Sequence, residues 1–257
     1  KFPDYSKLSG QKLEEKVTGA RNEVVVDPQK KHPYDFALWM KCVGRFKNHI
    51  MRWESPWGEG FPGWHIECSA MSMKFLGEQF DIHTGGIDHI GVHHPAEIAQ
   101  SEAATGKKPF VKYWVHRVHI MVDGKKMSKS LGNFYELKDV TKRGFDPLAI
   151  RYLFLTGHYR QAMNFTWEAL EAAQIALQKL RRKTQMLKPQ ASAEGGQVQH
   201  DSAREKFLDA INNDLNMPEA LAIAWKTENR GDLVEFDKVL GLDLFKVDEK
   251  IIPDEIK

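Results

Sequence analysis

The chain carries the run KMSKSLGN at residues 126–133, in which two lysines alternate with hydroxyl side chains. Val122 and an Asp-Gly turn signal at residues 123–124 precede it, so we expect a mobile, cationic loop. Lys126 and Lys129 in such a loop can bind a triphosphate and stabilise the charge that develops as pyrophosphate leaves. Charge clusters are more commonly solvated surface, and composition alone would favour a plain lysine patch.

A second group of residues has the chemistry of a metal site. Cys68 lies in the run GWHIECSAM at residues 63–71, and His93 and Glu97 follow in the run HHPAE at residues 93–97. His93 and Glu97 are four residues apart, so a helix that begins at or just before Pro95 would point both to one side. A thiolate, an imidazole and a carboxylate together suit zinc. A histidine near a helix start is nevertheless more often a capping or packing residue.

Composition limits the classes of protein. The chain has 257 residues, 42% hydrophobic and 28% charged, with a formal net charge of +2, which is typical of one large or two ordinary globular domains. No run approaches the roughly 18 apolar residues of a membrane-spanning helix, and we expect no membrane partner. Two cysteines are too few for a disulfide scaffold and suit the reducing cytoplasm.

The first part of the chain predicts an α/β layer fold up to about residue 165. Strands are predicted at residues 24–26, at Phe80–His83 and as one run from Trp114 to Val122, which ends at the Asp-Gly turn. A helix is predicted at Ile98–Ala104, with Gly106 as its C-cap.

Residues 166–257 predict a helical bundle. Apolar residues recur from Leu170 to Leu187 at three- and four-residue steps, which is typical of one face of a long helix. Residues 189–197 form a polar break, and a second helix is predicted through Phe207, Ile211 and Leu215. Asn216 then has the position of an N-cap for a third helix, with proline in its first turn.

These motifs resemble, in order and along nearly the whole chain, those of the cysteinyl-tRNA synthetases, which are class I aminoacyl-tRNA synthetases. The resemblance rests on KMSKS, on GWHIECSAM, on WESPWGEG at residues 53–60, on DIH and GG at residues 81–86, and on NDLNMPEA at residues 213–220. It implies a partial Rossmann-like catalytic domain over residues 1–165, followed by a helical, tRNA-binding domain over residues 166–257. It also implies ligation of cysteine to tRNA(Cys) by a cytoplasmic monomer.

The resemblance assigns roles to residues of the substrate site. Cys68, His93 and Glu97 match three of four ligands of a zinc ion that binds the thiolate of the substrate cysteine. Trp64 matches an aromatic side chain that closes over that cysteine, although packing in the core is its plain structural alternative. Cys68 and His93 are thereby also substrate-binding residues.

The resemblance also assigns an ATP site, with Mg²⁺ accompanying ATP. Gly85, Gly86 and Asp88 match the nucleotide-pocket segment, where bare backbone approaches adenosine and a carboxylate accepts hydrogen bonds from ribose hydroxyls. Lys126 and Lys129 match the lysines that bind the phosphates of ATP, with Lys129 the stronger candidate.

Several positions depart from the family pattern. A His-x-Gly-His motif and a fourth, cysteine ligand are not found, and we interpret the chain as an internal piece of such an enzyme. Thr84 replaces a usual glycine, Phe61 replaces a usual arginine, and residues 40–52 diverge. Cys42 does not match the missing ligand, and we expect a buried small thiol there.

Three other functions compete with this interpretation. A ligase that joins cysteine to an amino-sugar in mycothiol synthesis shares similar motifs, but the helical stretch at residues 213–220 favours the tRNA enzyme. A non-catalytic fragment that binds zinc or RNA would account for the motifs that are not found. A zinc hydrolase is disfavoured, because the chain has no H-E-x-x-H signature.

Overall fold

The computed structural model describes residues 2–12, 30–32, 35–188 and 200–246. Contacts between residues divide the chain into two compact units, Lys1–Arg117 and Val118–Lys257. The strand predicted at residues 24–26 and the break predicted at residues 189–197 lie outside the described residues. The predicted domain boundary at residue 165 marks a change in secondary structure, and as a domain boundary it stays a prediction.

The first unit contains two small sheets and two helices in its described part. Its elements are β1 (Trp39–Lys41), β2 (Gly60–Pro62), α1 (Trp64–Leu76), β3 (Phe80–Gly86), α2 (His93–Thr105) and β4 (Val111–Arg117). β1 and β2 pair antiparallel, whereas β3 and β4 are parallel. Parallel strands need a crossover, and α2 provides it, so β3, α2 and β4 form a βαβ unit.

The second unit contains a small mixed sheet and the helices. Its elements are β5 (Ile120–Val122), β6 (Lys125–Lys126), α3 (Leu137–Lys142), α4 (Pro147–Leu155), β7 (Met163–Phe165), α5 (Trp167–Met186), α6 (His200–Asn212), α7 (Met217–Lys226) and α8 (Arg230–Leu240). β5 pairs antiparallel with β6 and parallel with β7. The described part after Thr166 is helical, as predicted.

Local sequence explains where several helices begin and end. α2 ends at Gly106, which adopts a left-handed conformation with φ of 70° and whose amide donates to the carbonyl of Glu102. The predicted C-cap is therefore confirmed, although the helix begins earlier than predicted, at His93. Asn216 caps α7 by accepting from the amide of Glu219, which confirms the predicted helix start.

Two sequence predictions are wrong in detail. The predicted strand Trp114–Val122 is two strands, because β4 pairs with β3 while β5 pairs with β6 and β7, so the chain changes partners near Val118. Apolar residues continue through this point, so alternation alone could not show the break. Leu215 lies beyond α6, with φ of 54°, because the chain turns at Asp214 and Leu215 before α7.

The presence of Phe61 in place of the usual arginine is explained by contacts with residues 40–52, the segment that diverges from the family. Phe61 is buried, and its ring stacks on His49 with centroids 3.8 Å apart and an interplanar angle of 4°. Phe46 contacts the same ring edge-to-face at 5.3 Å. The divergent segment therefore supplies the aromatic partners that a phenylalanine, unlike an arginine, requires at this position. Cys42 nearby is only half-buried, so the prediction of a buried thiol is wrong.

The charged side chain of Arg181, in α5, is buried in the core of the second unit. It donates to the carboxylate of Asp146 at 2.7 Å and to the carbonyls of Leu242 and Asp243. Asp146 is the N-cap of α4, so Arg181 connects the start of that helix to the loop after α8. No helix within the described ranges is both long enough and apolar enough to cross a membrane.

We expect Arg181→Met to lower the free energy of unfolding by about 3–5 kcal/mol, because it leaves a partly buried carboxylate and two carbonyls without their partner. The exposed neighbour Arg182 offers a matched control, and Arg182→Met should change stability by less than about 0.5 kcal/mol. Urea denaturation measures both. Equal effects of the two substitutions would contradict the structural role of Arg181.

Candidate active site

A cluster of histidines, a cysteine and a glutamate lies where α1 and α2 pack beside the parallel pair β3–β4. The register of the pair places His83 opposite Trp114 and Gly85 opposite His116. Alternate residues of a strand point to one face, so these positions present their side chains to the same side as α2. The cluster lies near the carboxyl ends of the strands, which is where ligands bind in open α/β sheets.

Buried hydroxyl groups hold α1 against α2 at a fixed distance. Ser101 of α2 donates to the hydroxyl of Ser69 of α1 at 2.9 Å, and both side chains are buried. Ser69 directly follows Cys68 in the same helix. The spacing between Cys68 on α1 and the residues of α2 is therefore set by small side chains that allow close approach.

Cys68, His93 and Glu97 meet in this cluster. One potential ligand atom from each lies within 4.8 Å of the others. His93 Nε2 is 2.8 Å from Glu97 Oε1, and the two residues are four apart in α2. The predicted convergence of the three side chains is confirmed, whereas zinc binding stays a prediction.

Glu97 is fully buried, and its two carboxylate oxygens have different surroundings. His83 Nε2 donates to Oε2 at 2.8 Å. Oε1 accepts no hydrogen bond of good geometry from the residues that the structure describes, although His93 Nε2 is close. An unsatisfied carboxylate oxygen in a buried position is costly, and a cation beside it would remove that cost.

Further histidines support the ligand candidates. His65 Nδ1 lies 2.8 Å from His93 Nδ1, and His94 Nδ1 lies 2.7 Å from His116 Nε2. If His93 Nε2 binds a metal, its proton is on Nδ1 and is donated to His65 Nδ1. This contact would fix both the tautomer and the ring orientation of His93.

Burial keeps these imidazoles neutral. Desolvation, followed by the neighbouring His93, lowers the pKa of His65 to about 4. Desolvation and the surrounding histidines lower the pKa of His94 to about 3, and burial also lowers the pKa of His93. The neutral form is the one that binds metals. By contrast, burial and then the charge of Glu97 raise the pKa of the Cys68 thiol, a trend that a bound cation would oppose.

The donor set fits a zinc ion. Sulfur, imidazole nitrogen and carboxylate oxygen are its usual ligands, and three protein ligands leave a position for a substrate atom. A second set of donors, His83, His94 and Glu97, is equally compact. The first set contains a cysteine, and sulfur is a usual ligand of zinc, so the first set is the better candidate.

The predicted nucleotide segment follows directly from β3. Gly85 and Gly86 are the last residues of the strand, and Asp88 lies exposed in the short 3₁₀ turn after it. At Gly85 a Cβ atom would lie 2.5 Å from His94 Cε1 and 2.7 Å from His89 Nδ1. Gly85 is therefore required by the packing of the imidazoles, a reason that the sequence did not reveal, and the nucleotide role of all three residues stays a prediction.

Trp64 is the first residue of α1, one turn before Cys68. Its side chain is 78% exposed, so the alternative of core packing is wrong. Residues four apart lie on one side of a helix, so Trp64 and Cys68 share a face of α1.

Lys126 and Lys129 lie in the second unit, in the segment that follows β5. Asp123 and Gly124, with φ of 50° and 71°, form the turn between β5 and β6. Lys126 ends β6, Lys129 begins a single 3₁₀ turn, and both side chains are exposed. The structure agrees with the predicted Asp-Gly turn, and the phosphate-binding role stays a prediction.

The sequence did not single out His65, His83 or His116 as parts of this cluster. The available signal was the spacing of His83 and Gly85 along one face of a strand, but it becomes informative only when the register with β4 is known. His116 lies 19 residues after Glu97 and joins the cluster through that register alone.

Comparisons with known proteins agree with this geometry. The family described as "tRNA synthetases class I (C) catalytic domain" matches residues 1–175. The chain belongs to this family. It is 42% identical over 274 residues to a cysteine–tRNA ligase of Treponema denticola, with 95% of this chain and 55% of that protein covered. It is 48% identical over 226 residues to a cysteine–tRNA ligase of Chlorobaculum tepidum, with 88% of this chain and 45% of that protein covered.

The chain thus spans about half the length of the curated relatives it matches. Among solved structures, a LeuRS of Agrobacterium radiobacter K84, in a ternary complex with tRNA and LeuAMS, gives a TM-score of 0.52 at 15% identity, covering 75% of this chain and 32% of that one. This likeness concerns the fold, and it confirms the predicted α/β, Rossmann-like class with its helical continuation.

The neutral histidines predict that acid destabilises the metal-free protein. His65 stays neutral in the folded state down to a pKa of about 4, whereas in the unfolded chain it gains a proton below about 6.5. The free energy of unfolding should therefore fall as pH decreases from about 6.5 to about 4. Urea denaturation in the presence of a chelator measures this dependence.

A His65→Asn variant should take up about one proton fewer on unfolding near pH 5, which gives a flatter dependence. An identical slope in His65→Asn and the unsubstituted protein would show that His65 is not held neutral.

Proposed function

We propose that the protein containing this chain is a cysteine–tRNA ligase, which activates cysteine with ATP and transfers it to tRNA(Cys). The observation that carries the proposal is the meeting of Cys68 and His93 with the fully buried carboxylate of Glu97. The names of the relatives, which extend over most of this chain, support it. We further propose that it acts as a monomer in the cytoplasm.

Cys68, His93 and Glu97 would hold a zinc ion. When bound, the ion offers a soft Lewis acid to which the thiolate of cysteine can bond, whereas the hydroxyl of serine cannot do so comparably. A site that must bond the distinctive group of its substrate rejects analogues without that group strongly. Selection of cysteine over serine would therefore need no hydrolytic editing.

The remaining residues of the cluster orient these ligands. His83 donates a hydrogen bond to Oε2 of Glu97, which leaves Oε1 for the ion that Cys68 and His93 would also bind. His65 contacts Nδ1 of His93 and leaves Nε2 for the ion. Trp64, exposed one turn before Cys68, would close over the bound cysteine and exclude water from its side chain.

Each unit carries residues proposed to bind ATP, in the segment after β3 in the first unit and in the KMSKS loop in the second. The backbone at Gly85 and Gly86 would approach adenosine, and Asp88 would accept hydrogen bonds from the ribose hydroxyls. Mg²⁺ would accompany the phosphates. A carboxylate oxygen of cysteine would attack the α-phosphorus while pyrophosphate leaves, and Lys129 and Lys126 would stabilise the developing charge.

The helical unit favours tRNA over an amino-sugar as the acceptor. Asn216 caps α7, so the NDLNMPEA stretch, which the resemblance assigns to the tRNA enzyme, forms the turn between α6 and α7. Cysteine-dependent ATP–pyrophosphate exchange by the natural full-length protein tests activation. Transfer of radiolabelled cysteine to tRNA(Cys), compared with an amino-sugar, tests the acceptor.

In the full-length protein, Cys68→Ser should lower cysteine activation far more than ATP affinity, because a hydroxyl weakens and hardens the metal site. Bound zinc, measured by mass spectrometry of the native protein, should decrease in parallel. Cys42→Ser replaces the other cysteine of the chain and should leave zinc content and activation unchanged. Equal losses of cysteine activation and ATP affinity would mean that Cys68 serves the fold.

Lys129→Ala should lower the rate of adenylate formation by about 10²–10³-fold, the scale on which removal of one preorganised transition-state donor acts. Cysteine affinity should change little, because the thiol is held by residues of the other unit. Lys125→Ala, which removes an exposed lysine of β6, is the control. Single-turnover release of pyrophosphate reports the rate, and an unaltered rate would refute the role of Lys129.

A further inference from the structure

Asn133 lies just beyond the KMSKS run, and its side chain turns back onto the preceding segment. Nδ2 donates to the carbonyl of Lys126 at 3.0 Å, and Oδ1 accepts from the amide of Ser128 at 2.9 Å. The two partners fix the orientation of the side-chain amide, because one can only accept and the other can only donate. One side chain therefore bridges the backbone on both sides of Met127. We call these two hydrogen bonds of Asn133, to Lys126 and Ser128, the clasp.

The other contacts of the loop hold its turn. The hydroxyl of Ser128 accepts from the amide of Leu131 at 3.2 Å, and Gly132, with φ of 66°, donates to the carbonyl of Lys129 at 3.1 Å. These contacts close the single 3₁₀ turn that carries Lys129. The Asn133 side chain instead ties this turn to β6, the strand that ends with Lys126.

Two neighbouring contacts fix the position of the clasp. Met127 packs, half-buried, against the core of the second unit. Phe134 directly follows Asn133, and Lys129 Nζ lies 5.4 Å from the centroid of its ring. Asn133 thus holds the backbone between the two lysines. The ammonium group of Lys129 contacts the exposed ring of Phe134, and an anion could displace this contact by binding the ammonium group.

We propose that Asn133 is a positioning residue that sets the distance and relative orientation of Lys126 and Lys129 for the phosphates of ATP. The proposal rests on the proposed function. Without the clasp, the backbone around Met127 samples more conformations, and ordering it again in the transition state costs entropy. A small misplacement of catalytic groups is enough to lower a rate by up to about 10²-fold.

In the full-length protein, Asn133→Ala should lower the single-turnover rate of adenylate formation by about 10–100-fold. The KM for cysteine and the zinc content should stay unchanged, because those depend on residues of the first unit. Asn164→Ala is the matched control: it removes one amide-to-backbone hydrogen bond, to Gly124 at 2.8 Å, from the same hairpin without touching residues 126–133. Its rate should change less than about 3-fold.

A double-substitution cycle separates positioning from a general structural effect. On a Lys129→Ala background, Asn133→Ala should lower the rate by less than about 3-fold further, since the group that it positions is gone. The proposal would be overturned if Asn133→Ala lowered the rate of adenylate formation as much on the Lys129→Ala background as it does alone. It would also be overturned if Asn133→Ala alone left that rate unchanged.

Limited trypsin digestion tests the clasp without requiring activity. Cleavage after Lys126 and Lys129 should be about 5-fold faster or more in Asn133→Ala, because cleavage follows local opening, and it should be unchanged in Asn164→Ala. Equal cleavage rates would overturn the clasp itself. If the unsubstituted protein shows no cysteine-dependent ATP–pyrophosphate exchange, but trypsin cleaves Asn133→Ala faster than the unsubstituted protein, the proposed function fails while the clasp stands.

Discussion

The arrangement of the candidate active site depends on one fully buried carboxylate. Glu97 lies on α2, between a strand that supplies His83 and a helix that supplies Cys68, and it contacts residues of all three elements. A buried negative charge must be compensated, and here hydrogen bonding compensates one oxygen only. Burial of the same cluster lowers the pKa of His65 against the opposing charge of Glu97, and burial followed by that charge raises the pKa of the Cys68 thiol.

The sequence predicted those features of the fold that short-range chemistry determines. The C-cap at Gly106, the N-cap at Asn216 and the long amphipathic helix α5 depend on residues only a few positions apart. The partner change near Val118 depends on which strands lie nearby, and no local pattern encodes it. Leu215 matched a helical spacing, but the turn that excludes it depends on how α6 meets α7.

In the candidate site, too, the sequence predicted what depends on residues close together in the chain and missed what depends on the pairing of distant elements. Cys68, His93 and Glu97 were predicted because each offers ligand chemistry and because His93 and Glu97 share a helix face. His116 and the packing role of Gly85 were not predicted, since both arise from the register between two parallel strands. The resemblance to a family gave roles to Lys126 and Lys129, whereas the clasp of Asn133 required the side-chain positions of the loop.

The contacts of Arg181 have a consequence for synthesis of the chain on the ribosome. Its guanidinium joins Asp146, 35 residues earlier, to the carbonyls of Leu242 and Asp243, some 60 residues later. While the nascent chain ends before residue 242, these two carbonyls are not yet present to accept from the guanidinium, and closing the interior of the second unit around it would leave those hydrogen bonds unmade. We therefore expect the interior of this unit to close only after the turn that follows α8 has been synthesised.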